Sequence, residues 1–342
     1  MTSAAEPIDL EGRPAGAART SGLAEIEART RSGLARVERA LAAAVDTADG
    51  FVAEAAGVLL TAGGKRFRPT CVLLTGHLGD PEDPRLVPAA VAIELTHLST
   101  LYHDDVIDEA ELRRGTSSAN ARYGNLVAIL TGDYLFARAS EVTADLGPAA
   151  TRILARTVAR LVQGQIAEAR GPQPGQDPVE HYLAVLAEKT GALIGTACRL
   201  GAELSGADPL AVAAVTEFGE RLGVGFQLAD DLLDIVEDPA TSGKVPGTDL
   251  REGVRTLPVL YLLRDGGAEA DLVEQVLDAE DPDNGEVAKA LEALRGSDAF
   301  DQARVTARDQ VELATRSLAS LPRGPVRAAL EQVAERALDR DR

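Results

Sequence analysis

Tryptophan is absent from the 342 residues, and tyrosine and phenylalanine occupy only 5 and 6 positions. A chain with 3% aromatics and abundant Ala and Leu is a poor candidate for sheet, because strands favour β-branched and aromatic residues. Cysteine is scarce too. Cys71 and Cys198 lie in apolar helical context and read as reduced core residues of a cytoplasmic protein, not as a disulfide. Positive charge is in deficit: 35 Lys and Arg face 54 Asp and Glu, a formal net charge of −19. That excess argues against nucleic acid and against an anionic membrane surface as partners. A phosphate site in such a field has to be a local basic pocket assisted by metal. Long hydrophobic runs are also missing. Nothing approaches the roughly 18–20 uninterrupted apolar residues of a membrane span, so no stable membrane insertion is expected. No signal peptide precedes the helical region.

What is present is helical periodicity, almost from end to end. Residues 1–21 mix Gly, Pro, Ala and charge without period and read as a disordered tail. From there to Arg342 the pattern reads as one all-helical domain with no strand signal. Leu23, Ile26, Leu34, Val37, Leu41 and Val45 make a first stripe, and a second helix over Phe51–Thr61 stops at Gly63-Gly64. The run Lys65-Arg66-Phe67-Arg68-Pro69 then precedes an apolar helix over Thr70–Leu78. On spacing alone this is a solvated basic turn or an anion site at a helix start. A buried central helix is expected over Asp83–Ala110, then helices over Ser117–Leu146, Pro148–Arg170, from Pro178, and over Asp208–Glu237. A Gly- and Pro-rich loop follows to Gly253 and could close as a lid.

Chemistry concentrates at the end of the central helix. Leu101–Gly115 carries Asp104, Asp105 and Asp108, then Arg113 and Arg114. At about 100° per residue Asp104 and Asp108 share a helix face, with Asp105 flanking. Partly buried like charges need a counter-charge, and oxygen ligands suit a hard cation such as Mg²⁺. Guanidinium forks fit phosphate oxygens. The pattern recurs at Asp230, Asp231 and Asp234, which again end an apolar helix, 126 positions after the first copy. One such motif is an ordinary charged helix end; two, each with basic residues behind, suggest a metal-bridged phosphate ester held in one cavity by different helices.

With both motifs and their flanks in view, the chain resembles the trans-prenyl diphosphate synthases of the polyprenyl synthetase family, from about Gly57 to Leu263. Within that family it is most similar to the long-chain enzymes that make quinone side chains. The resemblance implies an all-α single-domain bundle of the isoprenoid synthase type with a central cavity. It implies condensation of isopentenyl diphosphate with an allylic prenyl diphosphate, helped by two to three Mg²⁺ ions per active site. Catalytic roles carry over to Asp104, Asp105, Asp108, Asp230, Asp231, Asp234, Lys189 and Lys244, with metal at Asp104, Asp108 and Asp230. Lys65, Arg68 and His97 carry over as contacts to isopentenyl diphosphate, and Arg113, Arg114, Gln165, Thr190 and Gln227 as further substrate contacts. A homodimer is also implied. The chain departs from the family pattern at Val254, where many members carry a second lysine that Arg251 or Arg255 would have to replace. It departs again at Glu168, where Asp is usual.

Other readings are weaker. A terpene cyclase of the same fold would lack Lys65, Arg68 and His97 and would carry an altered second motif. A non-catalytic subunit of a heteromeric synthase would lose the aspartates. Glu94-Leu-Thr-His97 fits one half of a di-iron Glu-x-x-His pair, but no second copy exists. Product length is expected to be long, with a geranylgeranyl or farnesyl product as the alternative. Ala92, Thr96 and Ser99 form a stripe of small residues before the first motif, Thr100 stands beside them, and no bulky side chain is there to stop a growing tail.

Overall fold

The computed structural model describes residues 17–236 and 246–338, and these are helical almost throughout. In order come α1 (Ala17–Val45), α2 (Gly50–Thr61), α3 (Phe67–Gly76) and α4 (Leu86–Ile107). A two-residue ladder follows, β1 (Leu112–Arg113) and β2 (Thr116–Ser117), then α5 (Ala119–Tyr123), α6 (Asn125–Leu146), α7 (Pro148–Arg170) and α8 (Pro178–Leu186). A π turn over Ala187–Gly191 leads into α9 (Ala192–Leu204) and α10 (Pro209–Val236). Beyond residue 245 lie α11 (Thr248–Arg251), α12 (Leu257–Asp265), α13 (Ala268–Leu277), α14 (Asn284–Arg295), α15 (Asp298–Ser317) and α16 (Pro325–Leu338).

Several expected boundaries shift for local reasons. Helix α1 begins at Ala17, inside the stretch read as tail, and residues 1–16 lie outside the described ones. The central helix is shorter than Asp83–Ala110 at both ends. Asp83 takes the Arg85 backbone N–H and side chain before the helix begins, and Asp108 closes it by donating its N–H to the Asp104 carbonyl at 2.8 Å. The stretch over Ser117–Leu146 is two helices, because Gly124 takes φ +83°. The strand pair went unforeseen. Arg114 (φ +53°) and Gly115 (φ +72°) supply the two left-handed residues that a two-residue hairpin turn demands. Arginine gives no sequence signal for that conformation.

Contacts gather the chain into two compact units. One holds residues 17–159, 193–219 and 318–332, and the other holds 160–192, 220–236, 246–317 and 333–338. The divisions fall inside α7, α9, α10 and α16 and at the end of α15, so no linker marks them. In the first unit α4 is buried along most of its length, as a helix apolar on every side must be. Ile93, Leu95 and Leu98 have no exposed surface, and each is worth roughly 1.5–3 kcal/mol of burial. The buried Tyr102 hydroxyl donates to the Ala55 carbonyl at 2.6 Å, tying α4 to α2. This packing fixes the helix whose end carries the first aspartates. Cys71 and Cys198 are free, buried thiols.

The second unit has its own core. Val224, Leu228, Leu232 and Ile235 of α10 pack with Leu257, Leu262, Val273, Leu291, Leu294 and Phe300. Asp177 caps α8 by accepting from the Val179 and Glu180 N–H groups, and Pro178 opens the first turn. Among the described residues, no helix is long and apolar enough to cross a membrane.

Candidate active site

In the first unit the basic run wraps around a buried arginine. Arg66 adopts φ +47° and turns inward, where Nε donates to Glu38 at 2.5 Å and Nη1 donates to Glu94 at 3.0 Å. Arg66 and Glu94 are buried. This leaves Lys65 exposed and Arg68 half-buried on either side of the anchor. It also spends the Glu94 carboxylate, which a di-iron site would need. Arg68 Nε is buried with no hydrogen-bond partner among the described residues, and burial lowers its pKa. A charged donor left in that state is suited to an anionic ligand. His97 lies close by. Burial first, then the Arg68, Arg114, Arg66 and Arg113 charges, hold its pKa well below the usual value, so the ring is neutral.

The hairpin after the first aspartate motif returns to this turn. Arg114 Nη1 donates to the Leu59 carbonyl at 3.2 Å and to the Gly63 carbonyl. A Cβ on Gly64 would sit 2.8 Å from that same nitrogen, so a larger residue there would displace the Arg114 guanidinium. Arg113 Nε donates to Asp105 at 2.6 Å, and its Nη2 lies 4.0 Å from Asp108. Asp105 has no exposed surface, and its Oδ2 has no partner among the described residues. Asp104 is half-buried and Asp108 is exposed.

In the second unit the counterpart is a hydrogen-bonded chain. Tyr182 Oη donates to Asp231 Oδ2 at 2.5 Å, Gln227 Nε2 donates to Asp231 Oδ1 at 3.1 Å, and Thr190 Oγ1 donates to Gln227 Oε1 at 3.3 Å. Asp231 is buried and carries a pKa raised to about 7. Burial is the main cause, the charges of Asp230 and Asp234 add to it, and the bonds from Tyr182 and Gln227 oppose it. Asp234 is occupied as well, accepting the Thr248 and Asp249 N–H groups at 3.1 Å each and so capping α11. Gln165 donates to Glu168 at 3.2 Å, and Lys189 Nζ is paired with the same carboxylate.

Sequence reasoning missed three parts of these arrangements. Tyr182 gave no signal because it lies 49 positions from its partner. Asp249 sits by the second motif with a pKa raised to about 8, by burial and then by Asp234 and Asp231. The Arg66–Glu94 pair was hidden by the 28 positions between its members. Lys244 lies outside the described residues. Neither candidate substitute for the lysine missing at Val254 is idle: Arg251 binds the Gly247 carbonyl and Asn284, and Arg255 binds Asp278.

The donor set fits a hard divalent cation. Every candidate ligand is a carboxylate, and in both motifs the middle one is engaged by protein while the first is half-buried. Asp234, by contrast, is engaged in capping α11. Among the described residues no three such side chains are already gathered around an ion position. Mg²⁺ commonly takes one or two carboxylates and completes its shell with water and substrate phosphate.

The model of one family, polyprenyl synthetase, matches residues 50–294. The chain is similar to the nonaprenyl diphosphate synthase of Mycobacterium tuberculosis, 45% identical over 320 residues that cover 93% of this chain and 96% of that one. It is 38% identical to heptaprenyl diphosphate synthase component 2 of Geobacillus stearothermophilus, over 88% of this chain and 93% of the relative. Among solved structures it resembles a polyprenyl synthase from Caulobacter crescentus complexed with calcium and isoprenyl diphosphate. That likeness has a TM-score of 0.85 at 32% identity and covers 96% of this chain and 99% of the other.

Proposed function

The chain belongs to the polyprenyl synthetase family, and on that premise we propose that it is a trans-prenyltransferase extending an allylic diphosphate with isopentenyl diphosphate to a long-chain all-trans polyprenyl diphosphate. A quinone side chain is the proposed use of that product. The observation that carries the reading is the pair of aspartate motifs, each closing an apolar helix, each with its middle carboxylate locked by protein. Divalent cations, Mg²⁺ in this proposal, would neutralise the diphosphate leaving group when held by Asp104, Asp108 and Asp230.

The chain's own groups do the rest. Lys65, Arg68 and Arg114 take the isopentenyl diphosphate, and the depressed pKa of His97 leaves its ring a neutral hydrogen-bonding partner. Arg113, Lys189, Thr190, Gln165 and Lys244 take the allylic diphosphate. Its C–O bond breaks, the isopentenyl double bond attacks the cation, and loss of a proton completes one five-carbon extension. Apolar walls keep water from the cation. We further propose a homodimer through α6, whose Leu126, Ile129 and Leu130 lie on one helix face and are 71%, 41% and 57% exposed.

Ala92, Thr96 and Ser99 are buried on α4, and the Thr96 hydroxyl donates back to the Ala92 carbonyl, so the stripe consists of small side chains. One helical turn advances about 5.4 Å, near the length of an isoprene unit, so three open turns admit several additions. The test is incubation with labelled isopentenyl diphosphate, farnesyl diphosphate and Mg²⁺, followed by sizing of the products. Chains above twenty carbons are expected, probed further by Ser99→Phe, which shortens them. Wild-type products of fifteen or twenty carbons, or a Ser99→Phe variant with unchanged products, would refute the long-chain reading.

A further inference from the structure

Arg160 lies on α7, one and a half turns before Gln165, and no motif marked it. Its guanidinium joins three elements of the second unit. Nε and Nη2 donate to the two oxygens of Glu188 at 2.9 and 3.0 Å, a bidentate fork, while Nη1 donates to Glu220 at 2.5 Å. Glu188 is the second residue of the π turn and the neighbour of Lys189; Glu220 is on α10. A π turn carries one residue more than the helix around it and depends on its surroundings to persist. Here the surroundings are tight. A Cβ on Gly164 would lie 2.8 Å from Glu188 Cβ, one on Gly191 would lie 2.7 Å from the Glu220 carbonyl oxygen, and one on Gly223 would lie 2.6 Å from Gly191 Cα. Backbone contact thus holds the turn from two sides, and Arg160 is the side-chain strap between them.

We propose that Arg160 is a positioning residue for Lys189 and Thr190, acting through Glu188 and Glu220. It rests on the reading of Lys189 and Thr190 as contacts to the allylic diphosphate. Clamping Glu188 fixes the rotation of the next two residues, so their donors are already aimed when the diphosphate arrives. The side chains of Arg160, Glu188 and Glu220 are 35%, 34% and 38% exposed. Ion pairs in that setting add little to global stability, so the strap is worth more to the local geometry than to the fold.

The experiment compares Arg160→Ala and Arg160→Lys with wild type in the full chain. Arg160→Ala is expected to raise the KM for the allylic diphosphate about tenfold while that for isopentenyl diphosphate stays within about twofold. Backbone amides of residues 187–191 exchange hydrogen faster in Arg160→Ala, and the melting temperature drops by no more than about 3 °C. Arg160→Lys recovers part of both effects, since an ammonium keeps one carboxylate but loses the fork. Unchanged exchange in the turn, or faster exchange with an unchanged allylic KM, would overturn the proposal. So would an equal rise in both KM values with a large drop in melting temperature. Absence of prenyl transfer in wild type would refute the site reading instead, and the exchange result would still decide whether Arg160 holds the turn.

Discussion

The two aspartate motifs share letters and spacing, yet they sit in opposite electrostatic surroundings. Asp105 is buried against a guanidinium, with Arg113 Nε at 2.6 Å. Asp231 is buried against a phenol and an amide, with no cation bonded to it among the described residues, and its pKa rises to about 7. The first motif stands beside arginines, and the second is crowded by a fourth carboxylate, Asp249. A motif read as letters specifies where carboxylates lie along a helix. Whether burial is offset by an ion pair or by neutral donors depends on side chains far away in sequence. On the proposed reading, the first motif meets a diphosphate with arginines already beside its metal ligands, whereas the second, crowded by carboxylates, depends more on the bound cation.

The largest expected effect tests what the motifs have in common. Asp104→Ala and Asp230→Ala should each lower turnover by about 10²- to 10³-fold or more, with helicity and melting unchanged, because each removes a proposed metal ligand. Steady-state kinetics at saturating Mg²⁺ decides this. If one variant kept near wild-type turnover while folded, the motifs would not be functional equivalents.

A smaller effect separates them by pH. Asp231 has a folded pKa near 7, above its unfolded value of about 3.9, so its contribution to stability is full below pH ~4 and is lost as pH rises through about 7. His97 behaves in reverse. Its folded pKa lies below the unfolded value of about 6.5, so its contribution is full above that value and is lost as pH falls. Urea unfolding of metal-free protein between pH 4 and 8 measures both. Asp231→Asn should lessen the decline toward neutral pH, to which Asp249 also contributes, and His97→Gln should lessen the loss on acidification, to which His77 also contributes. Either variant steepening its slope would contradict the assignment.

Much of this was legible from spacing. The aspartates, the Gly63-Gly64 stop and the basic run are local patterns, and local periodicity survives folding when the helices are long. The inward turn of Arg66 was not legible, since nothing in Lys65-Arg66-Phe67-Arg68 says which cation meets Glu38 and Glu94. The same holds for Tyr182 with Asp231 and Arg160 with Glu188: each joins helices whose approach is set by packing. The hairpin escaped because its turn uses a non-glycine residue, Arg114, at φ +53°, where Arg114 reaches back to Leu59 and Gly63. Tertiary contact stabilises a conformation that propensity disfavours.

The most direct measurement is the unfolding free energy of Asp105→Asn and Asp231→Asn, side by side, metal-free at pH 7. Asp105→Asn strips the charge from a buried ion pair whose arginine is one-third exposed, and it should cost about 2 kcal/mol. Asp231→Asn replaces a carboxyl held by neutral donors, and Gln227 can rotate its amide to match, so the change should stay below about 1 kcal/mol. Equal losses, or a larger loss at Asp231, would contradict the claim that the two motifs are alike in sequence and unlike in surroundings.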